Sequence, residues 1–148
     1  VNNEGSGDMY PKGALMLHTI GNIINNDDKW WALLLKYSET YRHKIIDTET
    51  VLNFFNTETG LDFSSVFNQY LKTTSIPELE LRVVKNKLEY KWNGTKDDFT
   101  MPVDITISDK KIRLNPTDSW QKLDNKIKKL DQVKVADDLF YILVKRSE

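Results

Sequence analysis

Ser75-Ile76-Pro77-Glu78-Leu79-Glu80-Leu81-Arg82-Val83 is the stretch at which the chain changes period. Upstream of Pro77 the apolar residues recur at helical spacing; from Leu79 they recur at every second residue. Leu79, Leu81 and Val83 face one way along an extended strand, with Glu80 and Arg82 opposite. The stretch therefore predicts an α+β chain, with about four helices over residues 1–76 followed by an antiparallel β-sandwich over residues 77–148.

Moving upstream from Pro77, Phe63, Val66, Phe67, Tyr70 and Leu71 form one helical stripe behind an Asp62 cap. A shorter helix carries Val51, Leu52, Phe54 and Phe55, capped by Asp47 or Thr48 and stopped by Gly60. Residues 28–43 predict a longer helix, with Trp30, Leu33, Leu34, Tyr37 and Tyr41 on one face and Trp31 and Leu35 widening it. Asn25-Asn26-Asp27 reads as the break before it. Residues 11–25 form the first helix, with Pro11 in the first turn, where its missing N–H costs nothing.

Downstream, Lys85-Asn86-Lys87 is a turn, and Leu88, Tyr90 and Trp92 alternate with Glu89 and Lys91 up to the turn signal Asn93-Gly94. Phe99, Met101, Val103, Ile105 and Ile107 alternate in turn, and Pro102 suggests an edge strand or a bulge. Ile112 and Leu114 follow an Asp109-Lys110 turn. Trp120 with Leu123, Val133 with Val135, and Leu139–Val144 complete six or seven short strands. Frequent turns between short strands indicate a sandwich.

The composition excludes several functions. The 148 residues carry 21 basic and 22 acidic side chains for a net charge of −1, which argues against a strongly basic nucleic-acid binder. There is no cysteine, so neither a disulfide framework nor a thiolate metal site is available. The longest apolar runs, Trp30–Leu35 and Leu139–Val144, fall far short of the roughly 20 residues that span a bilayer. The chain opens at Val1 without Met, and residues 1–9 (VNNEGSGDM) read as a loop interrupted midway. Absence of cysteine fits the cytoplasm and an exported compartment alike; an exported one, periplasmic or cell-surface, is the expectation.

The residues that carry chemistry are Tyr10-Pro11-Lys12-Gly13-Ala14, opening a helix behind the glycine-bearing loop Gly5-Ser6-Gly7. A residue before proline is pushed away from helical dihedrals, so Tyr10 is expected to project from the helix N-terminus. Gly13 would let another segment approach the first turn closely. A phenol held there suits donation to a developing oxyanion. A tyrosine before an ordinary amphipathic helix is the commoner reading of the same residues.

Tyr-x-Lys-Gly-Ala at a helix start resembles the segment downstream of the zinc site in M1-family aminopeptidases. The likeness extends through the aromatic second helix with Tyr37 and Tyr41, through Asp62-Phe63 and Phe67-x-x-Tyr70-Leu71, to Ile76-Pro77 and a strand with Leu79 and Leu81. It spans about residues 5–83 by motif and the remainder by architecture alone. The resemblance implies a parent enzyme that hydrolyses N-terminal residues from peptides. Residues 1–76 would be the helical end of its catalytic domain, and 77–148 its β-sandwich domain. The oxyanion-donating tyrosine is then Tyr10, with Lys12, Gly13 and Ala14 in support. Pro11 stands where many members carry Glu, and it fits the helix start. In that family zinc is held by His-Glu-x-x-His and a later Glu. Neither His18 nor His43 begins that motif. The resemblance thus places the zinc ligands, the general base and the partner catalytic domain upstream of Val1, and implies that this chain alone is inactive and binds no catalytic zinc.

His18 is expected to be packed or hydrogen-bonded on its helix, and His43 exposed. Other rivals have ordinary explanations. Tyr90 and Trp92 could make a carbohydrate-stacking platform, but alternation with Leu88 favours the core. Trp30-Trp31 could be a recognition surface, but its spacing favours packing. Asn93-Gly94-Thr95 matches a glycosylation acceptor that a tight turn equally explains. Asp27-Asp28, Asp97-Asp98 and Asp137-Asp138 look like caps and turns, without calcium-loop spacing. Lys126-Ile127-Lys128-Lys129 reads as solvated surface. A glycyl-aminopeptidase-type relative would carry an inserted PDZ-like segment after the helices, and none is visible. From a different class, the alternative is a non-catalytic binding module using the sandwich.

Overall fold

The structure, a computed structural model, describes residue 7, residues 9–96 and residues 98–147. Gly5 and Ser6 of the glycine-bearing loop, and Asp97, lie outside the described residues. Four helices precede seven strands: α1 Met9–Ile24, α2 Asp27–Tyr41, α3 Thr48–Thr59 and α4 Ser64–Lys72, then β1 Glu78–Val84, β2 Lys87–Asn93, β3 Val103–Ile107, β4 Lys110–Leu114, β5 Gln121–Lys126, β6 Val133–Val135 and β7 Leu143–Arg146. The expected class, helices followed by a sandwich of mostly antiparallel strands, is the one observed.

Local chemistry sets the helix ends. The Asn26 side chain accepts from the Lys29 amide at 2.9 Å and starts α2. Between the two candidate caps of α3, Asp47 serves, accepting from the Thr50 amide at 2.8 Å and the Thr50 hydroxyl at 2.6 Å. Gly60, at φ 72°, closes α3 in the left-handed conformation that a side chain would strain. Asp62 accepts from the Ser64 amide at 2.8 Å where α4 begins. The bonds from Thr50 and Ser64 hold the Asp47 and Asp62 carboxyls below their ordinary values.

The strands form two sheets, ordered β5-β2-β1-β7 and β4-β3-β6. The β1–β2 turn places Lys85 and Asn86 at φ 51° and 60°, and the β3–β4 turn places Ser108 and Asp109 at 48° and 61°. Paired positive φ values match the right-handed twist of a two-residue hairpin. The second turn is therefore Ser108-Asp109, one residue earlier than Asp109-Lys110, because Lys110 already pairs with Ile107. Three further expectations are corrected. Pro102 occupies no edge strand: it immediately precedes β3, the centre of its sheet, where its missing N–H breaks no ladder bond. Phe99 and Met101 are buried ahead of that strand rather than within it. The Leu139–Val144 run becomes a strand only from Leu143, and β7 pairs with β1 in parallel.

One buried cluster runs from Met16, Ile20 and Ile23 of α1, through Phe55, Phe67 and Tyr70, into Leu79, Leu88, Trp92, Ile105 and Val133 of both sheets. Polar ties cross the same boundary. Thr19 in α1 accepts from the Tyr141 amide at 2.9 Å, and the Tyr70 hydroxyl donates to the Tyr141 carbonyl at 2.6 Å. These bonds take Tyr141 out of reach of a sheet ladder, which explains the late start of β7. Arg113 in β4 donates to the Ile23 and Asn22 carbonyls at 2.9 and 2.8 Å, satisfying the end of α1. It also makes a two-pronged pair with Asp104, at 2.8 and 3.0 Å. Burial opposes ionisation of Asp104, but its bonds to Arg113 and Lys111 prevail and hold its carboxyl below the ordinary value.

Candidate functional site

Tyr10 stands in the first turn of α1, which starts one residue before it, at Met9. The sequence expectation placed Tyr10 outside the helix. Helical entry there is tolerated because Pro11 is the third helical residue, where a backbone N–H has no intrahelical partner to lose. The Tyr10 side chain is 70% exposed, so its phenol is presented to the surroundings of the helix N-terminus.

Lys12, for which the sequence offers no partner, reaches the far end of the helical layer. Its Nζ donates to the Thr73 carbonyl at 2.9 Å, across 61 positions of sequence. Thr73 is the C-cap of α4. A helix C-terminus presents unpaired carbonyls and partial negative charge, which an ammonium group complements. Ala14 is exposed.

Gly13 departs from its expected role. A Cβ built on it would meet no described atom within 4 Å, so no described residue makes the close approach suggested by the sequence. Instead it borders an apolar groove of about 390 Å³, lined also by Leu17, Leu34, Tyr37, Val51 and Leu71. The glycine against which a neighbour presses is Gly21, where a Cβ would lie 3.0 Å from the Trp30 ring. Trp30 is thereby drawn against α1 and stands 6.1 Å from the Phe55 ring. Its neighbours Trp31 and Leu35 are 66% and 62% exposed, so they do not widen the buried stripe.

His18 is exposed rather than packed, and of the two expected states it is the hydrogen-bonded one, its ring pairing with the Asn22 side-chain amide at 3.4 Å. His43 is exposed at φ 60°. Among the described residues no group of three or more His, Asp or Glu side chains is placed to hold a metal ion, so these residues do not themselves fit a zinc centre. No described helix is long and apolar enough to cross a membrane.

The sandwich alternatives resolve at named residues. Trp92 and Tyr90 are buried, with the Trp92 indole donating to the Met101 carbonyl at 3.3 Å, so neither ring offers a sugar-stacking platform. The Asn93 side-chain amide donates to Glu80 at 2.5 Å. Gly94, at φ 66°, makes the turn after it. Of the basic run, Ile127 is buried while Lys126, Lys128 and Lys129 are exposed.

The outer face of the first sheet was not singled out by sequence. Glu80 and Glu89 are buried there beneath basic side chains. Lys91 and Lys145 lie 3.4 and 3.1 Å from Glu80, and Arg82 and Lys122 lie 2.6 and 3.3 Å from Glu89. Arg82 also covers the Trp120 ring, 3.8 Å from its centroid. The alternation of opposite charges on β1 and β2 was the available signal; the strand order that stacks them was not.

No protein-family model matches the chain, and no curated protein matches it in sequence.

Proposed function

We propose that this chain is the C-terminal part of an M1-type zinc aminopeptidase, with Tyr10 donating to the oxyanion formed as the bond after a peptide's first residue is cleaved. The observation that carries the reading is the ordered run Tyr10-x-Lys12-Gly13-Ala14 at the start of α1, with its tyrosine exposed and its helices leading through Pro77 into a sandwich. A phenol in that position supplies one neutral hydrogen bond. Such a donor matters most when charge develops on the substrate oxygen, because that bond then becomes charge-assisted. The zinc ligands and general base belong, in this reading, to a catalytic segment preceding Val1, and the peptide binds between that segment and the exposed end of α1.

The test is Tyr10→Phe in the protein that carries this chain in its native context, assayed on peptides with a free N-terminus. Loss of one oxyanion donor is expected to lower kcat on the order of 100- to 1000-fold while zinc content and unfolding midpoint stay unchanged. Near-normal turnover would remove Tyr10 from the reaction.

A further inference from the structure

We propose that Lys12 is a positioning residue for Tyr10, pinning the first turn of α1 to the end of α4 and, through Gln69, to the turn that follows β2 in the sandwich. The proposal rests on the reading of Tyr10 as the oxyanion donor. Tyr10 and Lys12 share one helical turn, and the Lys12 ammonium holds the Thr73 carbonyl at 2.9 Å. Thr73 is itself fixed, its hydroxyl donating to the Gln69 carbonyl at 2.6 Å. Gln69 is fully buried. Its amide nitrogen donates to the Ser75 carbonyl at 2.9 Å, and its amide oxygen accepts from the Lys96 backbone at 2.8 Å. A continuous set of hydrogen bonds thus joins the helix start that bears Tyr10 to the sandwich.

Among the described residues, little else holds the first turn. Met9, Tyr10, Pro11, Ala14 and Leu15 are exposed, and Met16 is the first core residue of α1. Among the described residues no other hydrogen bond leaves residues 9–15 for another element. A helix end with so few buried contacts opens locally at low free energy. A phenol that must meet an oxyanion in one geometry is sensitive to such opening, since a misplacement of about 1 Å can cost on the order of 100-fold in rate.

The experiment uses the protein in its native context and compares Lys12→Met, Lys12→Arg, Tyr10→Phe and the Lys12→Met/Tyr10→Phe double variant. Met keeps the apolar stem and removes the donor, whereas Arg keeps a donor. Lys12→Met is expected to speed hydrogen exchange of the amides of residues 13–15 about tenfold, with those of α3 unchanged. It should lower kcat roughly tenfold with KM within about twofold, Lys12→Arg should restore most of the loss, and Lys12→Met should add less than about twofold once Tyr10 is Phe. Unchanged exchange in Lys12→Met, no restoration by Arg, or an equal loss with and without the Tyr10 hydroxyl would each overturn the proposal. Near-normal turnover in Tyr10→Phe would overturn the oxyanion reading and Lys12's role in turnover together. A large Tyr10→Phe loss beside unaltered exchange in Lys12→Met would overturn the clamp alone.

Discussion

The helical layer and the first sheet of the sandwich finish their outer surfaces in opposite ways. On the outer face of the sheet, Glu80 and Glu89 lie beneath Arg82, Lys91, Lys122 and Lys145, so each carboxylate has cations above it. On the helices, Trp31, Leu35 and Leu71 stand exposed, as does Ile45 between α2 and α3, and the groove beside Gly13 is apolar. A charged lattice over a sheet face completes a surface for water. Exposed apolar side chains that join into a large contiguous patch are what a protein-binding surface presents, whereas scattered ones are ordinary. The contrast suits the proposed reading, in which the helical layer is one part of a larger catalytic domain, while the core that it shares with the sandwich is continuous.

The largest effect on stability is expected where the two regions are joined. Arg113→Met leaves the Asp104 carboxylate, 2% exposed, with Lys111 alone, and strips two carbonyls at the end of α1 of their donor. Removing one partner of a buried pair typically costs about 3 kcal/mol or more, and urea unfolding of the variant measures it. A loss below about 0.5 kcal/mol would mean that the sandwich and the helices hold together without this rivet.

A smaller, pH-dependent effect is expected on the sheet face. Bonds from Ser147 and Asn93, with Lys145 beside them, hold the Glu80 carboxyl from an ordinary 4.5 down to about 2 despite its burial. The folded state therefore gains stability from ionised Glu80 above pH 4.5, and that gain is lost as pH falls toward 2. Glu80→Gln should flatten the acid side of the stability profile in this window. An unaltered acid limb would show that the carboxylate lattice contributes nothing there.

The smallest effect is expected on the helical surface. Trp31→Ser and Leu35→Ser should each change the unfolding free energy by less than about 0.5 kcal/mol, because these side chains gain little burial within the described fold. A loss of about 2 kcal/mol would show that they are covered by the chain itself, and the contrast between the regions would disappear.

Features dictated by neighbouring residues were legible in the sequence. Asn26, Asp47 and Gly60 act on backbone groups within four positions, and the change of period at Pro77 marks the passage from helices to strands. Pairings across the chain left no local signal. Arg113 meets a carbonyl 90 positions away, and Lys12 one 61 positions away. The parallel β1–β7 contact and the delayed start of β7 also depend on partners remote in sequence, Thr19 and Tyr70. Composition alone could not distinguish Gly13 from Gly21; only the position of the Trp30 ring separates the glycine that is pressed upon from the one that is open. At the candidate site, the motif singles out Tyr10 in the sequence, whereas the bond from Lys12 to the Thr73 carbonyl left no signal there.

The most direct test of the central claim is to read the native coding sequence immediately upstream of Val1. A zinc-peptidase parent would carry a His-Glu-x-x-His motif there, followed by a further Glu, supplying the metal ligands and the base. A start codon there, or an unrelated domain, would contradict the claim and leave Tyr10 as an exposed tyrosine at the start of a helix.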